Sequence, residues 1–128
     1  MSLATIYLYL NAALYAGFAL WCTLKYSSTA RSLGYTSLDA SGHSEYLVIY
    51  GGLQCGLAIL FFLLGGRSEY HELGGWVSLG IYAPIVLYRW STIAIWRPVS
   101  GLTLAVALLE TLLLVGAVAL VWQRRLTG

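Results

Sequence analysis

Residues 102–122 read LTLAVALLETLLLVGAVALVW, an unbroken apolar run with one ionisable side chain, Glu110, in its middle. A chain crosses roughly 30 Å of hydrocarbon with about 20 mostly apolar residues at about 1.5 Å per residue, so this run is long enough to span a bilayer. It is too continuously apolar for a barrel strand, in which polar and apolar residues alternate. A helix satisfies its own backbone in lipid, and a helix is what the run predicts.

Three further stretches read the same way, giving expected spans at about 3–24, 45–64, 75–96 and 102–122. Between them lie a longer polar loop from Lys25 to Ser44, a short one from Gly65 to Gly74, and a tight turn at Arg97-Pro98-Val99-Ser100-Gly101. The tail after Trp122 is polar. Short connections make successive helices antiparallel neighbours, so the expected fold is an all-α membrane protein, a single antiparallel four-transmembrane-helix bundle over 1–128. Tyr7, Trp76 and Trp122 fall toward one face and Trp21, Tyr46 and Trp96 toward the other, which fits interfacial belts. Pro84 predicts a kink in the third helix by freeing the carbonyl of Gly80.

The composition agrees. Hydrophobic residues make up 59% of the 128 and charged residues 9%, with mean hydropathy +0.77. Soluble domains carry about a quarter charged residues, so a soluble enzyme, a nucleic-acid binder and a disordered tail are excluded. A net charge of +2 is no footprint for nucleic acid. Cys22 and Cys55 lie in apolar stretches far from any metal spacing and read as small hydrophobes. The first stretch lacks a basic n-region and a cleavage site, and reads as a retained span. Basic residues divide evenly between the faces: Arg67, Arg124 and Arg125 with the termini, Lys25, Arg31 and Arg97 opposite. The amino terminus and the paired tail arginines favour both termini in the cytoplasm.

Ionisable groups inside the spans are the most informative feature. Arg89 lies roughly 10 Å below one face and Glu110 roughly 12 Å below the same face, on consecutive antiparallel helices. A lone charge at that depth costs several kcal/mol, so the two are expected to pair. Glu45 opens the second span at that face, on a stripe with Ile49, Gly52 and Gly56 that is expected to face inward and make Glu45 a second acceptor for Arg89. Such a cluster reads first as a pin fixing helix register, and second as a proton-coupled or ligand-binding site. Asn11 and Gln54 are expected to bond across helices as polar glue. Gly51, Gly52 and Gly56, with Ala13 and Gly17 on the first helix, give small-xxx-small spacing for close packing within the bundle.

No histidine pair suits a haem, no Glu-x-x-His set suits a di-iron site, and no phosphate loop or nucleophile–base pair occurs. His71 with Glu69 and Glu72 reads as a solvated loop. No metal and no cofactor is expected, and an enzyme is the weaker reading.

The run Ser44-Glu45-Tyr46, then Tyr50-Gly51-Gly52-Leu53-Gln54, then Arg89 and Glu110 in order, resembles a bacterial family of small four-helix integral membrane proteins of unknown function, DoxX-like in size and layout. The resemblance covers Glu45 to Leu114. It implies that Glu45, Gly51, Gly52, Arg89 and Glu110 form a polar and packing core, and it implies no activity. The favoured function is a non-catalytic accessory or assembly subunit, with the lipid bilayer and other membrane subunits or a homo-oligomer as partners. The alternative is an oligomeric small transporter or binder of a hydrophobic molecule that uses Glu45, Arg89 and Glu110.

Overall fold

The computed structural model describes residues 1–127, and no strand occurs among them. Helix α1 runs Leu3–Leu24, α2 Tyr26–Ser32, α3 Ala40–Leu47, α4 Gln54–Gly65, α5 His71–Ile95 and α6 Gly101–Thr127. A π-helical turn, Val48–Leu53, joins α3 to α4, so that Ala40–Gly65 is one helix of 26 residues. Three helices are long and apolar enough to cross a membrane: Leu3–Leu24, Ala40–Gly65 and Gly101–Leu126. The chain is therefore suited to a lipid bilayer.

Polar side chains start the helices. Ser2 accepts from Thr5 N at 3.1 Å, Asp39 from Gly42 N at 2.8 Å and Ser100 from Thr103 N at 3.2 Å, each occupying a donor that a helix start leaves free. The segment expected as a polar loop from Lys25 to Ser44 is instead largely helical, holding α2 and the start of α3. At the end of α2, Gly34 N bonds Arg31 O at 3.0 Å and Tyr35 N bonds Ala30 O at 2.8 Å. This paired closure needs a left-handed residue, and Gly34, at φ 99°, supplies it. Helix α5 runs unbroken through Pro84.

Helix α1 packs along α4 and α5 along α6, and the two pairs meet where α1 touches α5 and α6 and where α4 touches α5. The core between them is Leu8 and Ala12 of α1, Phe61 and Leu64 of α4, Tyr82 of α5 and Leu113 of α6. Small residues permit the approach: a Cβ on Gly74 would stand 2.8 Å from Leu8 Cδ1. At the tail, the Arg125 guanidinium lies 5.5 Å from the Trp76 ring centre, tying the end of α6 to the start of α5.

Two expectations about faces are corrected. Gly52, Gly56, Ala13 and Gly17 are exposed, and a Cβ on Gly17, Gly52 or Gly56 would meet open space. The inward residues of the second long helix are Tyr46, Gly51, Ala58, Phe61, Leu64 and Gly65. Tyr46 to Gly51 is a step of five, which a π turn returns to one face. A Cβ on Gly51 would stand 2.9 Å from Thr23 Oγ1 of α1. The aromatic belts are also thinner than expected: Trp21, Trp76, Trp96 and Trp122 are exposed, but Tyr46 is buried and Tyr7 turns inward.

Candidate functional site: a polar seam between helices

Arg89 and Glu110 meet across α5 and α6. Arg89 Nε donates to Glu110 Oε1 at 2.6 Å and Nη2 to Oε2 at 3.2 Å, a two-pronged grip that fits the guanidinium fork. The side chains are 33% and 15% exposed. One residue further along each helix, Trp90 Nε1 donates to Thr111 Oγ1 at 2.9 Å, and Thr111 donates on to Ala107 O at 2.8 Å. These two rungs fix the register of the α5–α6 pair.

Glu45 is not part of the cluster. It is exposed, and its carboxylate makes no hydrogen bond or ion pair among the described residues. The residue of that helix within electrostatic range of Arg89 is Tyr50, carried by the π turn. Tyr50 stacks on Tyr46 and its hydroxyl lies 3.0 Å from that of Tyr35. Gln54 does not reach across helices either; its Nε2 lies 3.5 Å from Ile49 O, a carbonyl of the π turn on its own helix.

Asn11 does bridge helices. Fully buried on α1, it donates to Tyr7 O at 2.8 Å and accepts from the hydroxyl of Tyr82 on α5. Tyr7 donates to Leu113 O of α6 at 2.6 Å, and buried Ser78 donates to Gly74 O at 2.6 Å. Tyr15 and Tyr82 lie within electrostatic range of Glu110, so the seam of hydroxyls and amide leads toward the ion pair. Its buried polar atoms are bonded to protein, as the low-dielectric interior demands.

No family model, curated protein or solved structure matches the chain.

Sequence reasoning missed Tyr82, Ser78 and His71. His71 is buried, with Nε2 3.2 Å from Gly65 O and 3.4 Å from Thr5 Oγ1, and so holds the end of α4 against α1 and α5. The signal was present: His71, Ser78, Tyr82 and Arg89 recur at seven, four and seven residues, one inward stripe of α5. Among the described residues, no group of three or more metal-ligating side chains gathers at one place. Two surface clefts, of about 530 Å³ along α6 and about 360 Å³ beside α2, are both lined by residues other than Arg89 and Glu110.

Proposed function

We propose that the chain is a non-catalytic accessory or assembly subunit of a larger membrane complex, built as a four-span bundle with both termini on the cytoplasmic side of a bacterial inner membrane. The observation that carries the reading is that the intramembrane charges close on each other. Arg89 spends its fork on Glu110, away from both clefts. Such a pair is suited to pinning register rather than to taking a substrate.

Helix α5 is the fourth span. Its hydropathy is lowered by Ser78, Tyr82 and Arg89, yet each of these side chains has a protein partner. At 25 residues and about 1.5 Å per residue it is long enough to cross. The reading accords with the resemblance of the sequence to a bacterial family of small four-helix membrane proteins of unknown function, DoxX-like in size and layout.

The outward small residues support a docked neighbour. Gly52 and Gly56 leave a shallow strip on the second long helix, and in lipid such strips let another helix approach closely. Co-purification of the native protein and of Gly56→Leu, each in mild detergent from its own membranes, tests the reading. A stoichiometric membrane partner or second copy, lost in G56L while the fold survives, supports it. A protein without partners that carries a hydrophobic molecule across vesicles, in a way abolished by Arg89→Met, would establish the transporter alternative instead.

A further inference from the structure

The cleft beside α2 has a chemistry of its own. Its lining includes Arg31, His43 and the hydroxyl-bearing residues Ser27, Tyr35, Thr36 and Ser37, and no carboxylate among the described residues. Its volume of about 360 Å³ falls in the range of small-ligand sites. The closure at Gly34 builds it, because the chain reverses there and carries Tyr35, Thr36 and Ser37 back beside α2.

Apart from the Tyr35 hydroxyl, which is paired with that of Tyr50, its donors are largely uncommitted. Arg31 uses Nε on Ser27 O at 3.4 Å and makes no ion pair among the described residues. Ser27, Thr36 and Ser37 make no side-chain hydrogen bond among them. His43 lines the cleft with its ring edge-on to Tyr26. The nearest acid in sequence, Asp39, turns its carboxylate to Gly42 N. A guanidinium, an imidazole and several hydroxyls without a competing carboxylate are the donor set that a phosphate-type oxyanion needs.

We infer that this cleft binds a phosphate oxyanion, presented by an anionic lipid headgroup or as free phosphate. Its place, at the turn between the first two long helices, is the headgroup level of a bilayer that α1 crosses. The inference is independent of the accessory-subunit reading, since it concerns neither the Arg89–Glu110 pair nor the glycine strip.

The test uses the full chain in two arms. In neutral detergent at constant ionic strength, inorganic phosphate should raise the unfolding temperature, and Arg31→Gln should move the midpoint of that titration roughly fivefold or more to higher phosphate. In nanodiscs of phosphatidylglycerol and phosphatidylcholine, native mass spectrometry should find phosphatidylglycerol retained above its share, with the excess reduced about as much in R31Q. Arg31 is exposed, so the variant should fold, and its unfolding temperature without ligand checks this. Response in the phosphate arm alone identifies a free oxyanion, and enrichment in the lipid arm identifies a headgroup; either supports the site. Silence in both arms overturns it. So does a response that R31Q and His43→Gln leave unchanged, or one that Arg67→Gln, an exposed arginine after α4, reduces equally.

Discussion

The ring of Tyr7 on α1 lies so close to Gly116 of α6 that a Cβ on the glycine would stand 2.6 Å from Tyr7 Cε2 and 3.0 Å from Cδ2. The same side chain donates to Leu113 O at 2.6 Å, so it is held at both its flank and its tip. Helices α1 and α6 have few other contacts, and this wedge is one of the places where the two helical pairs lock. Gly116→Ala should therefore destabilise the protein by about 1–2 kcal/mol, the cost of displacing a fixed ring outweighing the better helix propensity of alanine. Thermal unfolding in detergent reads the loss. Tyr7→Leu in the same background should recover part of it, because a flexible side chain yields where a ring does not.

The outward glycines should behave in the opposite way. Gly17 and Gly56 have nothing within reach of an added Cβ. Alanine at either position should leave the stability of the isolated protein unchanged or raise it by up to about 1 kcal/mol. Gly56→Leu should likewise unfold at the native temperature when the chain is alone. A marked loss of stability in the isolated G56L protein would show that this strip is covered within the bundle.

Tyr82 and Asn11 form the bond between α5 and α1 at the centre of the core. Tyr82→Phe leaves the ring in place and deprives Asn11 Oδ1 of its donor in a site closed to solvent. The expected loss is about 1–3 kcal/mol, the cost of a buried unsatisfied acceptor. Asn11→Leu added to Tyr82→Phe should restore part of the stability, since both polar atoms are then gone. Unfolding curves of the two singles and the double decide it.

How much of this was legible beforehand depends on what the bilayer lets a sequence reveal. Long apolar runs announce helices, because lipid forbids any backbone that is not bonded within itself, and α1 begins and ends at the residues expected, Leu3 and Leu24. Facing is harder. Lipid is as apolar as a protein core, so hydrophobicity does not say which side of a helix points inward. That is why the stripe of Glu45, Gly52 and Gly56 was expected inside and lies outside. The π turn added to the difficulty: it aligns Tyr46 with Gly51, a step that no regular 3.6-residue period would join. Polar residues were better guides, because each one in lipid needs a partner. Asn11, Arg89 and Glu110 drew notice for that reason, while Tyr82 and Ser78 went unnoticed because tyrosine and serine are common at membrane surfaces and on helix flanks.

The Arg89–Glu110 pair provides the most direct test of the site. Each partner satisfies the other through two hydrogen bonds, and neither has another charged partner among the described residues. Removing one strands the other in an apolar setting, so Arg89→Met or Glu110→Gln should each cost about 2 kcal/mol or more. The arginine is one-third exposed, which lets its head find some water and keeps the figure below that of a sealed pair. Removing both eliminates the stranded charge as well, so the double variant should lose less than the two singles added together. Glu45→Gln supplies the internal control: its exposed carboxylate has no partner among the described residues, and stability should stay within about 0.5 kcal/mol of the native chain. A double-mutant cycle by thermal unfolding in detergent measures the coupling. Strict additivity would show that the two charges are solvated separately. Coupling with native complex assembly in the double variant makes the pair a register pin, whereas a stable double variant that no longer supports the complex gives the charges a part in docking the partner.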